Sequence, residues 1–279
     1  MRPRPSDKLI RVTLFPVEFV GGSVLSVLDQ IGRVVFLLLE CIRWILLSLV
    51  DRKVRIGRPA VVSQVIRVGV RSVFIVSIVS SCVGFILALS LAPPLDQFGQ
   101  KELVANIIGV AVLRELGPLI GSIVLTGFAG ASIAAEIGTM VVGEEVEALE
   151  AHALEPVRFL VVPRVVAALI SMTILGVFAD IVAIGAALLV SMIVLEVPYA
   201  TFMSNLLSQV KHIDFFTGVG KSAIFGLLIG LIACHHGLSV QGGAAGVGRA
   251  TTLTVVHCVV AIIFADLAFT AIFFALKLV

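Results

Sequence analysis

Four ionisable side chains lie within otherwise apolar stretches of the sequence: Glu136, Asp180, Lys221 and Asp266. A charged group near the centre of a bilayer costs roughly 2.5–3.5 kcal/mol, so such residues usually face a protein interior or a water-filled path. These four could carry protons or line the path of a polar solute. They could equally pair for structural reasons, for instance Lys221 with a carboxylate. The sequence leaves both interpretations open.

A second group of charges forms a compact acidic segment between two long uncharged runs. Five glutamates occur within residues 144–155, which must therefore lie in water. Val142, Val146, Leu149 and Ala153 recur at i, i+4, i+7 and i+11, which places them on one face of a helix. This pattern predicts a short amphipathic cytoplasmic helix that fits a groove on a partner protein. The alternative is a loop helix that packs on its own bundle.

Nucleotide-binding and metal-binding patterns are incomplete. Residues 217–222 (TGVGKS) resemble the end of a phosphate-binding loop, but that motif requires glycine where this chain has Phe215, and a preceding β-strand. We interpret the glycine-rich residues 242–248 as a tight cytoplasmic loop. His235 and His236 are adjacent and point about 100° apart on a helix, which disfavours a shared metal ion. We therefore expect no catalytic residue, metal or cofactor in this chain.

Composition identifies an integral membrane protein. Hydrophobic residues make up 59% of the 279-residue chain and charged residues only 14%, with a mean hydropathy of +1.16. Soluble domains average about 25% charged residues. The four cysteines form no CxxC pair, and no cleavable signal peptide is recognisable. A chain of this length accommodates five or six helical spans of about 20 residues.

The distribution of charges predicts an all-α, polytopic membrane protein. We expect a cytoplasmic N-terminus with an amphipathic interfacial helix within residues 1–60, followed by a permease domain at 61–279. The interfacial helix covers residues 24–50 and carries Asp29, Arg33, Glu40 and Arg43 on one narrow stripe. The alternative is a span that packs against others through this stripe. The five predicted spans are residues 70–92, 103–138, 160–195, 218–238 and 253–276.

Two local signals refine this arrangement. Pro118 lacks a backbone donor and predicts a kink or break in the second span, whereas Pro93 and Pro94 close the first. Twelve of the 20 lysines and arginines precede residue 72, so the N-terminus should be cytoplasmic. Five spans then place the C-terminus on the opposite side, together with the loops at 93–102 and 196–215.

Several segments of the sequence resemble the MlaE/YrbE family of ABC-transporter permeases, over roughly residues 60–277. The segments are 113–118 (LRELGP), 131–140 (ASIAAEIGTM), 144–150 (EEVEALE), 155–156 (EP), 163–164 (PR) and 246–252 (GVGRATT), followed by Asp266. Their order and spacing hold throughout the match.

The resemblance implies the permease subunit of an ATP-driven phospholipid transporter in the bacterial inner membrane. Such a system moves lipid between membranes or maintains outer-membrane lipid asymmetry. It further implies a homodimer, a cytoplasmic ABC ATPase that binds ATP and Mg²⁺, a periplasmic ring of MCE-domain protein and, in some systems, a STAS-domain protein. No nucleic-acid partner is expected. The family's coupling helix, which inserts into the ATPase, corresponds to about residues 141–153. The coupling residues are Val142, Glu144, Glu145, Val146, Leu149, Glu150 and Ala153.

One position departs from the family pattern. Phe128 stands where the family commonly has arginine, so a phosphate contact is not expected there. Candidate residues along the substrate path are Glu136, Phe128, Lys221, Asp266 and Asp180. The alternative function is an ion-coupled secondary transporter in which Asp180 and Asp266 carry protons. A membrane scaffold without transport activity is a third alternative.

Overall fold

Helices account for nearly all of the chain in the computed structural model, which describes residues 25, 28–48 and 57–277. Within these residues there is no β-strand. Residues 28–48 form α1. The other helices are α2 (Arg58–Val68), α3 (Val73–Gln97), α4 (Val104–Ala111), α5 (Gly117–Leu125), α6 (Ala131–Val142), α7 (Glu145–Ala151), α8 (Val162–Ile193), α9 (Tyr199–Gln209), α10 (His212–Leu238) and α11 (Gly243–Ala275).

Five helical segments are long and apolar enough to cross a membrane, which confirms the predicted all-α polytopic fold. The segments are Arg58–Gln97, Lys101–Val142, Val157–Ile193, His212–Leu238 and Gly243–Ala275. Short 3₁₀ and π-helical turns link the helices within the first three segments. The fourth and fifth segments are α10 and α11 alone. Residues 1–24 and most of the basic linker at 51–59 lie outside the described residues.

The glycine-rich segment was wrongly predicted to be a loop. Gly242 has a left-handed backbone (φ 86°) and precedes the first turn of α11, so most of the segment is helical. A Cβ atom at Gly246 would lie 2.0 Å from the carbonyl oxygen of Gln241. Glycine is therefore needed because the first turn of α11 packs directly onto the preceding loop.

Two further predictions about helix ends are corrected. α3 continues through Pro93 and Pro94 to Gln97, because these prolines fall in its last turns, where few backbone hydrogen bonds remain to be lost. Residues 196–215 do not form a simple loop, because they contain α9. This helix buries Phe202 and Leu206, and Leu206 lies against Gly109 of α4.

Pro118 does not break the second segment. The chain instead forms a π-helical turn at Val112–Leu116 and continues into α5, with Pro118 at its second residue. A π-helical turn removes the need for an ordinary backbone donor at the proline and changes the direction of the helix. A second π-helical turn follows at Thr126–Gly130. The predicted irregularity is present, but in the form of an inserted turn within a continuous helix.

α8 lies at the centre of the bundle, with half of its membrane-spanning window buried. It packs against α3 and α10 through small residues: a Cβ at Gly84 would lie 2.1 Å from the Ala183 carbonyl oxygen, and one at Gly226 would lie 2.6 Å from that of Ala168. Small residues let apolar helices approach closely in a membrane, where dispersion contacts provide much of the stabilisation. α11 is the least buried span, with 11% of its window inside the protein.

α1 contacts the bundle through apolar residues and not through its charged stripe. Leu37 and Cys41 are buried, whereas the ion pair between Asp29 and Arg33 (2.6 Å) is exposed. Large apolar residues such as Phe36 are also exposed. A helix with exposed apolar and charged residues fits the predicted position at a membrane interface, and the alternative of packing through the polar stripe is not what the structure shows.

The close contact between α3 and α8 predicts that Gly84→Ala will lower the unfolding temperature. The added methyl group has no space beside Ala183, and overpacking of this kind costs about 1–3 kcal/mol. Gly185→Ala is the matched control, because a Cβ there meets nothing within 4 Å. Thermal unfolding of the detergent-solubilised protein measures both. Equal stability of the two variants would contradict the observed contact.

Candidate functional site

The π-helical turn at Val112–Leu116 brings two charged residues into the bundle. It contains Arg114 and Glu115, and α10 approaches it so closely that a Cβ at Gly218 would lie 2.0 Å from the Leu113 carbonyl oxygen. π-helical turns occur frequently at functional sites because the extra residue re-aims neighbouring side chains. Here the turn presents both side chains to α10.

Lys221 is the centre of a group of polar side chains that we call the lysine cluster: Glu115, Lys221, Asp266 and Thr270. The Lys221 ammonium donates to Glu115 Oε2 (2.6 Å), Asp266 Oδ1 (2.9 Å) and Thr270 Oγ1 (3.0 Å). The Thr270 hydroxyl in turn donates to Glu115 Oε1 (3.0 Å). All three ammonium donors of Lys221 are therefore used. The structural pairing considered for Lys221 is confirmed, and Asp266 belongs to it.

Burial within the lysine cluster is uneven. The Lys221 side chain is 1% exposed and that of Asp266 is 17% exposed, whereas that of Glu115 is 37% exposed. One ammonium faces two carboxylates, so in its ionised form the cluster carries a net charge of −1. Glu115 is the member that an incoming group can reach, and its carboxylate would accept a hydrogen bond from a cationic or hydroxyl-bearing group.

The lysine cluster lies towards one end of the spans. Lys221 is nine residues from the start of α10, and Asp266 is nine residues from the end of α11. At 1.5 Å per residue, both lie about 14 Å from the helix ends on the side of the membrane opposite α7. The same side holds Arg114, which donates to Asp214 Oδ1 (2.6 Å), while Asp214 Oδ2 caps the start of α10 through the Lys211 amide (2.8 Å).

Glu136 belongs to a second group at the other end of the spans, the glutamate cluster: Arg67, Glu136 and Arg164. Its two carboxylate oxygens bind Arg67 (2.8 Å) and the buried Arg164 (2.9 Å). These contacts join α2, α6 and α8. Although Phe128 replaces the family's arginine, Glu136 thus has two cationic partners from other helices.

The remaining path candidates are not part of either cluster. Asp180 is buried on α8 with its Oδ1 atom unpartnered among the described residues, and a Cβ at Gly117 would overlap it. Phe128 is 40% exposed in the second π-helical turn. The predicted path residues therefore occupy separate places, and only Lys221 and Asp266 are brought into contact.

The acidic segment forms a shorter helix than predicted. α6 ends at Val142, Glu144 has a left-handed backbone (φ 60°), and α7 covers only Glu145–Ala151. Ala153 also has a left-handed backbone (φ 57°). The predicted four-residue stripe does not lie on one helix, because glycine at 143 permits a break that the periodicity does not reveal.

Within α7, two apolar residues of the predicted stripe remain. Val146 and Leu149 are partly buried, whereas Glu144, Glu145 and Glu150 are exposed. The segment connects α6 to the π-helical turn Val157–Val161 at the start of the third span. Movement of α7 would therefore be transmitted to two spans at once.

The histidines form a contact that adjacency does not predict. His236 Nε2 lies 2.8 Å from His257 Nδ1 on α11, and Gln30 of α1 lies 3.1 Å from the same nitrogen. Within the described residues, no three His, Cys, Asp or Glu side chains are grouped for a metal ion. Lys221 also cannot serve a phosphate-binding loop in this conformation, since it lies inside a 27-residue helix with its ammonium in ion pairs.

Sequence reasoning missed four partners that complete the two clusters. They are Glu115, Thr270, Arg67 and Arg164. Glu115 carried a usable signal, because it interrupts an apolar run together with Arg114. Thr270 carried none, since a threonine in a span is ordinary and only the packing of α10 on α11 brings it to Lys221.

Five apolar spans and polar clusters inside the bundle define a multi-pass membrane protein of the permease class. The sequence model of the family described as "Permease MlaE" matches residues 61–272. The chain belongs to the MlaE permease family. It is the membrane subunit of an ABC transporter, a class of protein that works with a separate ATPase component.

Curated relatives carry the same description. A "probable ABC transporter permease protein" of Rickettsia prowazekii is 34% identical over 77% of this chain and 83% of its own length. One of Synechocystis is 33% identical over 75% and 79%. "Protein TRIGALACTOSYLDIACYLGLYCEROL 1, chloroplastic" of Arabidopsis thaliana is 31% identical over 76% of this chain and 60% of its own length.

The lysine cluster predicts a specific pattern of stability. Lys221→Met should destabilise the protein by about 3–5 kcal/mol, because it leaves two carboxylates facing each other without their cation. Adding Glu115→Gln and Asp266→Asn should recover most of this loss, because no unpaired charge then remains. Unfolding temperatures of the single and triple variants measure the effect. A triple variant no more stable than Lys221→Met alone would contradict the assigned pairing.

Proposed function

We propose that this permease moves phospholipid across or out of the membrane, driven by a partner ATPase that binds ATP and Mg²⁺. The observation that carries the proposal is the lysine cluster, a polar site inside an apolar bundle with one accessible carboxylate, Glu115. A lipid requires an apolar route with a small number of polar groups for its headgroup. The likeness to a relative named after a galactolipid supports a lipid substrate.

The coupling residues support an ATP-driven mechanism. In this proposal α7 inserts into the ATPase through Val146 and Leu149, and its exposed glutamates keep the helix in water. Closure of the ATPase displaces α7, and the displacement reaches α6 and the third span through the segments that flank it. The two clusters respond at opposite ends, because Glu136 lies on α6 and Lys221 contacts the second and fifth spans.

A homodimer is part of the proposal. α11 is the least buried span and exposes a long apolar face that includes Val256, Val260, Ile263 and Leu267. A second copy packed on this face would place two lysine clusters close to one central path. Such a dimer resides in the bacterial inner membrane, with the N-terminus in the cytoplasm. The lysine-cluster side then faces the periplasm, where an MCE-domain ring would receive lipid, and a STAS-domain protein would bind on the ATPase side.

Ion-coupled secondary transport is the second candidate. It is favoured by Asp180, a buried carboxyl group with no partner among the described residues, which is the kind of group that carries a proton. Asp266 supports this candidate less, because its carboxylate is held by Lys221.

Reconstitution in proteoliposomes with the partner ATPase tests the proposed function. We expect movement of fluorescent phospholipid to require ATP and hydrolysis-competent ATPase. The triple variant Lys221→Met/Glu115→Gln/Asp266→Asn should lower the rate at least about tenfold, since each charged hydrogen bond it removes contributes about 1.5–3 kcal/mol. Asp29→Asn/Arg33→Gln, which neutralises an exposed ion pair, is the control and should retain wild-type transport. Transport by a proton gradient without ATP would establish the second candidate instead.

The coupling role of α7 is tested separately. Leu149→Asp should abolish co-purification of the ATPase, because a carboxylate cannot be buried in the apolar groove that receives Leu149 without a large desolvation cost. Leu103→Asp is the matched control, since residue 103 lies at the opposite end of the second segment. Membrane insertion of both variants should be normal. Normal ATPase co-purification with Leu149→Asp would refute the assignment.

A further inference from the structure

The outer surface of α2 carries a cleft that belongs to neither cluster described above. It has a volume of about 610 Å³ and is lined by Pro59, Val62, Ser63, Ile66, Arg67 and Arg71. Arg67 contributes one guanidinium nitrogen to Glu136, whereas Arg71 is exposed and makes no ion pair or hydrogen bond with the described residues. The cleft therefore contains a cation that is free to bind an anion.

Charge is unbalanced around this cleft. Arg67 and Arg164 share a single carboxylate, Glu136, and Arg71 adds a further positive charge. These four residues together carry a net charge of +2. The Ser63 hydroxyl is exposed on the same lining and provides a neutral hydrogen-bond donor. Guanidinium and hydroxyl donors of this kind are typical of phosphate binding.

The position of Arg71 along the span matches a lipid headgroup. Residues 72–95 contain no charged side chain and, at 1.5 Å per residue, cover about 36 Å, close to the ~30 Å hydrocarbon thickness of a bilayer. Arg71 is thus the last charged residue before the hydrocarbon region. At this depth its side chain reaches the phosphate layer.

An apolar surface continues from the cleft into the hydrocarbon region. Phe74 and Ile78 follow Arg71 at i+3 and i+7, which places the three residues on one helical face. Phe74 is 76% exposed and Ile78 is 47% exposed. A cationic cleft followed by an exposed apolar stripe on the same face has the polarity of one phospholipid molecule, with its phosphate at Arg71 and an acyl chain along Phe74.

We propose that this cleft is a binding site for an anionic phospholipid of the leaflet at the N-terminal end of the first span. The site goes beyond the proposed transport function. It lies on the outside of α2 and α3, at the end of the spans opposite the lysine cluster. The arginines of the glutamate cluster provide its positive field, so lipid binding is linked to the contact that joins α2, α6 and α8.

Photolabelling of the full-length permease in phosphatidylcholine nanodiscs tests the site. The probe is a photoactivatable phosphatidylglycerol, and mass spectrometry measures the lipid attached to residues 62–78. We expect saturable labelling that unlabelled phosphatidylglycerol competes away. Arg71→Gln should lower labelling about tenfold, consistent with the loss of one charged hydrogen bond. Arg58→Gln is the matched control on the same helix, outside the cleft lining, and should label as the wild type does.

The controls separate the other outcomes. Arg71 has no partner, so both variants should keep the wild-type unfolding temperature. Equal losses in both variants would overturn the site in favour of general charge attraction, and so would labelling that does not saturate on the wild-type protein. Equal labelling by a photoactivatable phosphatidylcholine would overturn the anionic preference. Displacement of the label by excess glycerol phosphate in the buffer would overturn the lipid assignment and identify a site for soluble phosphates.

Discussion

The buried ammonium of Lys221 is the interaction on which much of this structure depends. An isolated cation inside apolar helices is unstable, so Lys221 requires carboxylates from other spans. Glu115 comes from the second span and Asp266 from the fifth, and Lys221 itself lies on the fourth. The need to neutralise one charge therefore fixes the relative positions of three of the five spans. Glu136 performs the same task at the other end, where it joins the first, second and third spans through two arginines.

Backbone irregularity makes this pairing possible. Glu115 reaches Lys221 from a π-helical turn, and α10 can approach that turn because residue 218 is glycine. Gly117, directly after the turn, leaves space for the carboxyl group of Asp180. In a regular helix with larger side chains, the charges would remain on separate surfaces. The conformational cost of the turn is offset by the hydrogen bonds that the cluster gains in a medium of low dielectric constant.

The arrangement of polar groups is consistent with a transporter whose two ends respond to one motion. Charges are concentrated at two levels of the bundle and are separated by apolar, small-residue packing. α7 is connected directly to α6, which carries Glu136, and through a π-helical turn to α8, which carries Arg164. A displacement of α7 therefore acts first on the glutamate cluster. The lysine cluster is reached through the second span, whose two π-helical turns are the places where it can change direction most readily.

The sequence by itself determined the class of protein and the number of spans, because hydropathy and the placement of charges follow from the bilayer and not from tertiary contacts. It also located Lys221, Asp266, Glu136 and the acidic segment, since charged residues stand out in apolar surroundings. Helix ends were less predictable: the glycine-rich segment 242–248 has a loop-like composition, yet it forms the start of α11 because its glycines allow close backbone packing. The break at Glu144 was also hidden, since the apolar periodicity continues across it. Only the tertiary structure decided which charges meet, because partners such as Arg67 and Glu136 are 69 residues apart and Thr270 carries no signal of its own. Pairing depends on which helix faces pack together, and side-chain volume and backbone geometry determine those faces.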